Sequence, residues 1–112
     1  MIKVYLVEDQ ALVRDAIAAL LSLDFNIEVI GQASNGQDAL NAIKMLDSDL
    51  HPDVILTDIE MPNMNGIELS EQIAAKYPKI KMVIMTTFSR AGYIRRSIAA
   101  GAKGFILKEA PS

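Results

Sequence analysis

No cysteine occurs in these 112 residues, and there is only one histidine. The first absence excludes disulfides and thiolate metal sites. The second leaves His51 without a nearby imidazole partner, so it reads as a solvated loop residue ahead of Pro52. Positive charge is short as well: Lys and Arg total 11 against 14 Asp and Glu, and a formal net charge of -3 argues against gripping a phosphate backbone. The basic residues are scattered apart from Arg95-Arg96, which reads as a solvated helix face. No apolar run approaches the roughly 20 residues needed to cross a bilayer. Met1-Ile2-Lys3-Val4 lacks the zones of a secretory signal and reads as a strand already. These absences predict a cytoplasmic protein with no membrane insertion. Repeats, low-complexity tracts and dividing linkers are missing too, so one domain with one core is expected.

What is present centres on residues 52–66. Val54-Ile55-Leu56 is a short continuous apolar run, as expected of a strand covered on both faces. Met61-Pro62 and Asn65-Gly66 are turn formers that keep it from continuing past Asp58. Asp58 is thereby predicted to stand at the carboxyl end of a central strand, where open α/β sheets bind ligands.

On either side the pattern alternates. Ile2 to Val7 is a strand ending at Glu8-Asp9, followed by a helix over Ala11–Leu23 whose apolar stripe is read as Leu12, Ile17, Leu20 and Leu21. Glu28–Ala33 is a strand, Gln37–Leu46 a helix with Leu40, Ile43 and Leu46 inward, and Asp47–Pro52 a polar loop. Ile67–Tyr77 is a helix stopped by Pro78, Met82–Met85 a strand ending at Thr86-Thr87, Gly92–Ala100 a helix stopped by Gly101, and Phe105–Leu107 a strand ending at Lys108. Strand and helix alternate four times before a fifth strand. Short connections then require parallel strands with helices on both faces, a doubly wound α/β sheet. Pro111-Ser112 reads as the lead-in to a fifth helix that does not follow. The chain is therefore expected to be cut before its last element and to bare apolar sheet surface beside the first helix, favouring self-association.

Four of the five strands end in groups capable of chemistry: Glu8-Asp9, Asp58, Thr86-Thr87 and Lys108. Singly each has an ordinary reading. Asp9 could cap the first helix, Asp58 sit in a turn, Thr86 be a strand threonine and Lys108 a surface lysine. Together at one sheet edge they make a set. Three carboxylates repel and raise one another's pKa unless a cation intervenes. Oxygen-only ligands favour magnesium. With the ion and the Lys108 ammonium beside it, Asp58 would stay ionised and could receive a phosphoryl group, whose transfer needs alignment and charge neutralisation above all. Thr86 could offer its hydroxyl to a phosphoryl oxygen.

From Ile2 to Ala110 the chain resembles the receiver domain of bacterial two-component response regulators. The resemblance implies the CheY-like, flavodoxin-like strand order 2-1-3-4-5. It also implies an acidic pair at Glu8 and Asp9, a phosphoacceptor at Asp58 and a metal-binding backbone carbonyl at Glu60. Thr86 and Phe105 take the positions of the switch pair, and Lys108 that of the family's lysine. Thr86-Thr87-Phe88 and the run from Ala100 to Glu109 resemble the NarL/LuxR-type branch, whose members carry a helix-turn-helix DNA-binding domain after the receiver. Asp58-Ile59-Glu60-Met61-Pro62 and Gly92-Tyr93 are similar to DesR-like regulators of membrane-lipid desaturation. A sensor histidine kinase is the implied phosphodonor, a homodimer the implied output state, and DNA a partner only through the domain absent from these residues. Beyond weak self-catalysed gain and loss of the phosphoryl group, no enzyme activity is implied.

Three departures matter, one of them the missing fifth helix, which bears on the dimer surface. Glu109 in place of proline after Lys108 fits the NarL/LuxR branch. Phe105 in place of tyrosine can swing but cannot hydrogen-bond through a hydroxyl. Glu60 and Phe88 flank the path of water to the phosphorus, and Phe88 cannot orient a water, so slow self-dephosphorylation is expected. Met61 and Met64 offer contacts to the kinase; the other methionines read as core. The alternatives are a stand-alone receiver acting by protein binding, a haloacid-dehalogenase-like phosphatase, for which Glu60 only imitates the second aspartate, and a flavodoxin-type carrier, whose phosphate Glu8-Asp9 would repel.

Overall fold

A continuous apolar run, Val4 to Val7, puts β1 (Ile2–Val7) between two hydrophobic layers. After it come α1 (Ala11–Leu21), β2 (Ile27–Ala33), α2 (Gly36–Met45), β3 (Val54–Asp58), α3 (Gly66–Lys76), β4 (Lys81–Thr86), α4 (Ala91–Ala99) and β5 (Ala102–Leu107), with one 3₁₀ turn at Ser48–Leu50. This computed structural model describes residues 1–86 and 91–107, and only the backbone of Thr86, residues 91–94, Phe105 and Leu107. All strand pairs are parallel and lie in the order β2-β1-β3-β4-β5, as the alternation predicts.

The pleat of β1 divides the core. Tyr5 and Val7 face α2 and α3, joining Ile55, Leu69, Ile73 and Met82. Val4 and Leu6 face the other way, with Leu56 and Met85, against Ile17, Ala18 and Leu21 of α1. Ala100, just past α4, closes over Ile59, Ile67 and Ile84. Among the described residues, no helix is long and apolar enough to cross a membrane.

Two apolar expectations need correction. Leu12 and Leu20 are 84% and 67% exposed, and the buried stripe of α1 is Ile17, Ala18 and Leu21. Leu12 and Leu21 are about two and a half turns apart, so they point to opposite sides. The sheet surface beside α1 is partly bare, as the missing helix predicts. Val4, Leu6, Leu56 and Met85 are buried, and on that face only Ile106, paired in register with Met85, is strongly exposed among the described β5 side chains. Met1 and Met45 are exposed rather than core, whereas Met82 and Met85 are buried.

His51 is not a solvated loop residue. Its ring is half-buried, edge-on to Tyr77 with centroids 5.1 Å apart. Nε2 sits 3.1 Å from the carbonyls of both Ile43 and Leu46, so that nitrogen carries the proton and donates to the last turn of α2. At the opening of α3, Asn65 and Glu68 form a reciprocal capping box: Glu68 N–H donates to Asn65 Oδ1 at 2.8 Å, and Asn65 N–H to Glu68 Oε1 at 3.1 Å. Asn65→Ala should lower stability by about 1 kcal/mol. An unchanged urea midpoint would contradict that.

Candidate functional site

Chain order reverses between β1 and β3, which lie side by side while β2 takes the far side of β1. Their carboxyl ends flank the crevice where ligands bind in such sheets. β1 runs directly into Glu8 and Asp9, and β3 ends on Asp58. One carboxylate oxygen from each of the three lies within 4.8 Å of the others.

Each carboxylate is held by a different device. Glu8 is buried; its N–H donates to the Ala33 carbonyl of β2 at 3.0 Å, and its own carbonyl accepts from Arg14 Nη1 of α1 at 2.7 Å. Gln10 N–H reaches Glu8 Oε2 at 3.4 Å. Asp58 is half-buried, and its Oδ1 accepts from Ile59 N–H at 2.7 Å, which fixes its rotamer. Thr57, fully buried beside it, donates its hydroxyl to the Asp58 carbonyl at 2.9 Å. Asp9 is exposed and makes no helix cap: Gln10 occupies that position, without a side-chain cap bond.

The Asp9 carboxyl is pushed above its ordinary 3.8 by partial burial, then by its hydrogen bond to Glu8, the Glu8 charge and, least, the Asp58 charge, against a lowering contribution from its own backbone N–H. Because the side chain is exposed, water screens these effects. The folded-state pKa is the higher one, so the native domain binds more protons than the unfolded chain from pH 3.8 up to the raised value. Stability of the metal-free domain therefore falls as pH rises through that window and the penalty disappears below it. Asp9→Asn should flatten this dependence and raise the thermal midpoint at pH 7. An unchanged slope across pH 4 to 7 would rule the explanation out.

Hard oxygen donors with this much negative charge fit a divalent cation. The loop after Asp58 shapes the open side of the cluster. Gly66 N–H donates to the Ile59 carbonyl at 2.9 Å, which closes the loop, and Asn63 and Met64 take left-handed backbone conformations inside it, with φ of 49° and 79°. Glu60 lies on this loop with an exposed side chain. A Cβ on Gly66 would overlap the Asp58 carbonyl oxygen and stand 3.0 Å from its carbon, so only glycine lets α3 start this close to the end of β3.

The structure thus brings Glu8, Asp9 and Asp58 together, with Glu60 on the adjoining loop. Phe88 and Lys108 lie outside the described residues, as do the side chains of Thr86 and Phe105; the Thr86 backbone ends β4, and that of Phe105 is in β5. Arg95 and Arg96 are exposed, as expected. Met61 and Met64, read as kinase contacts, are half-buried against the core, with the Met61 sulfur 3.9 Å from Thr57 Oγ1. Sequence reasoning missed Thr57, Gly36 and Gly66 as parts of the site's support. The Asn-Gly pairs were a signal for the two glycines, read only as turns.

Residues 4–112 match the family described as the response regulator receiver domain. The chain belongs to that family. This receiver domain is 42% identical over 112 residues to the transcriptional regulatory protein DesR of Bacillus subtilis, covering all of this chain and 53% of that protein. It is 43% identical over 109 residues to the uncharacterized transcriptional regulatory protein YvfU of the same organism, covering 97% of this chain and 52% of that protein. The chain spans about half the length of the curated relatives it matches. Among solved structures, a LuxR-family DNA-binding response regulator from Staphylococcus aureus superposes with a TM-score of 0.87 at 33% identity, over 99% of this chain and 89% of that one. The signal receiver domain of NarL from Mycobacterium tuberculosis gives 0.87 at 28% identity, over 98% and 86%. The receiver domain is thus of the LuxR/NarL type. Its likeness to DesR is level with its likeness to YvfU, so it points to the branch rather than to one regulon.

Proposed function

We propose that this receiver domain is the phosphorylation switch of a two-component transcriptional regulator, with Asp58 as its phosphoryl acceptor. The observation that carries the reading is the convergence of Glu8, Asp9 and Asp58 within 4.8 Å at the crevice between β1 and β3. Magnesium suits this donor set, since it needs only one or two direct carboxylates and keeps several waters. Asp9, Asp58 and the Glu60 backbone carbonyl would hold it, and Glu8 would act through a bound water. When bound, it supplies charge neutralisation and alignment for phosphoryl transfer.

The chain's own residues do the rest. Ile59 N–H, on Asp58 Oδ1, keeps the carboxylate turned into the crevice. An Asp58 oxygen attacks the phosphorus of a phosphohistidine on a sensor histidine kinase. The new P–O bond forms as the P–N bond breaks, and the electron pair leaves on the imidazole. The Lys108 ammonium and Thr86 hydroxyl then bind phosphoryl oxygens. A hydrogen bond to a charged group is worth about 1.5–3 kcal/mol, which shifts a two-state equilibrium roughly ten- to a hundredfold. Thr86 moving inward vacates space for Phe105, and the surface of α4 and β5 changes shape, favouring a homodimer. With Phe88 unable to orient water, the phosphorylated state is long-lived.

Transcription is the output supported by the relatives' names, and a helix-turn-helix domain after the receiver is the effector proposed for it. A cytoplasmic setting follows from those partners. Exposed Ile106 and its surroundings favour self-association of the segment on its own.

Intact-mass measurement after incubation with acetyl phosphate, with and without magnesium, tests the reading. One magnesium-dependent phosphoryl gain is expected. Steady phosphate release without an adduct would overturn it in favour of a phosphatase. Thr86→Ala should keep the adduct but lose most of the phosphorylation-driven dimer, seen by light scattering; equal loss of both would remove Thr86 from the switch.

A further inference from the structure

Two helices of the domain open on the same dipeptide, Asn35-Gly36 in α2 and Asn65-Gly66 in α3. α3 simply continues the loop that follows Asp58. α2 comes from elsewhere in the chain, yet it holds the same loop. Gly36 N–H donates to the Met64 carbonyl at 3.0 Å, and Gln37 N–H donates to the Asn63 carbonyl at 2.9 Å. A helix opens with backbone donors that have no partner within it. Here the next one, Asp38 N–H, is taken by the Asn35 side chain at 2.8 Å, while the two before it go to the loop.

The carbonyls that α2 takes belong to Asn63 and Met64, the non-glycine residues with positive φ among those described. Such a pair persists only where its surroundings hold it. The approach is close: a Cβ on Gly36 would overlap the Met64 carbonyl oxygen and come within 3.0 Å of Met64 Cγ. Gly36 is buried, and Met64 packs against the core cluster of Tyr5 and Leu40. The loop is therefore tied at three carbonyls, Ile59 by Gly66 and Asn63 and Met64 by α2. Without the α2 ties, the backbone of residues 60–65 would lose two of its three carbonyl anchors, leaving the Gly66 bond at its end and the packing of the Met61 and Met64 side chains.

We propose that Gly36 is a positioning residue for the acid crevice, clasping the Asp58 loop together with Gln37 so that it is ordered before a cation arrives. This rests on the reading of Asp58 as a magnesium-assisted acceptor. A loop ordered in advance binds more tightly than one that must be ordered on binding. The α2 amino terminus therefore sets the cation requirement of a reaction whose acceptor is on β3.

The test compares Gly36→Ala and Gln37→Pro with Ile80→Val, which trims the core at the opposite end of the sheet. Gln37→Pro removes one clasping donor and sets a ring carbon against the Asn63 carbonyl it bonded, so it opens the clasp without adding an atom at Gly36, and proline is tolerated in a first helical turn. It carries the test if Gly36→Ala does not fold. In metal-free protein, the backbone amides between Ile59 and Asn65, Pro62 excepted, should exchange roughly tenfold faster in the clasp variants. The magnesium concentration for half-maximal phosphorylation by acetyl phosphate should rise roughly tenfold, the scale of one to two lost hydrogen bonds. Ile80→Val should change neither. Wild-type exchange and magnesium midpoint in a folded Gln37→Pro overturn the proposal while leaving the acceptor reading intact. No adduct on the unaltered domain overturns both.

Discussion

Asp58→Asn is expected to take up no phosphoryl group from acetyl phosphate at any magnesium concentration, while its metal-free form melts several degrees above the unaltered domain. The two effects have one origin. Asparagine keeps the shape and the oxygen that accepts from Ile59 N–H at 2.7 Å, so the local geometry survives. What it removes is a negative charge within 4.8 Å of two others. A pair of charges at that distance repels by about 1 kcal/mol in water and several times that at the lower effective dielectric of a protein surface. Asp9 is exposed, so the lower figure applies to its pair with Asp58, and buried Glu8 adds at least as much, so the gain is about 1 kcal/mol or more. For a domain of this size about 1 kcal/mol moves the midpoint by several degrees. Intact mass reads the first effect and a thermal melt without metal the second. An adduct retained in Asp58→Asn would move the acceptor to another residue; a lower melting point would mean that the cluster is stabilised by bonds the substitution breaks.

Gly66→Ala is expected to destabilise the domain by about 3 kcal/mol or more and lower its melting point by about 10 °C or more. The sign is the informative part. Glycine to alanine in a helix ordinarily gains about 1 kcal/mol, and Gly66 is the first residue of α3. Here the added methyl would run into backbone, the Asp58 carbonyl group and the Ile59 Cα, none of which can rotate away. Either α3 or the end of β3 must move, and the second choice displaces the acceptor. Gly104→Ala is the control, because its Cβ would meet only the Val83 side chain, with the nearer methyl at 3.3 Å. It should stay within about 1 kcal/mol of the unaltered domain. Equal melting of the two variants would show that the loop yields freely.

The elements and the acidic cluster were legible in the sequence because both rest on short-range pattern. The apolar run of Val54-Ile55-Leu56 ending at Asp58, and the alternation of five strands with helices, compel a parallel sheet, and a parallel sheet gathers its strand ends along one edge. What sequence could not give was anything decided by one backbone meeting another. The clasp of Gly36 and Gln37 on Asn63 and Met64 involves no side-chain pattern, only two amides and two carbonyls brought together by the packing of α2 beside the loop. His51 was misread for the same reason: its partners are the Ile43 and Leu46 carbonyls, which any residues would supply. In α1 the failure was one of phase. Leucines at 12, 20 and 21 look like a stripe until helical rotation is counted, and then only Leu21 joins Ile17 and Ala18 at the sheet.

Both helix-opening Asn-Gly pairs bear on how the protein ages. An asparagine followed by glycine is the pairing in which the next backbone nitrogen most readily attacks the side-chain amide, losing ammonia and leaving a succinimide that opens to aspartate or isoaspartate. That attack needs a free nitrogen and a mobile side chain. In the folded domain the Gly36 and Gly66 nitrogens donate to the Met64 and Ile59 carbonyls, and the Asn35 and Asn65 oxygens accept from Asp38 and Glu68. The bonds that hold the Asp58 loop thus also keep its two most perishable residues out of reactive geometry, and isoaspartate at those positions should mark material that has spent time unfolded.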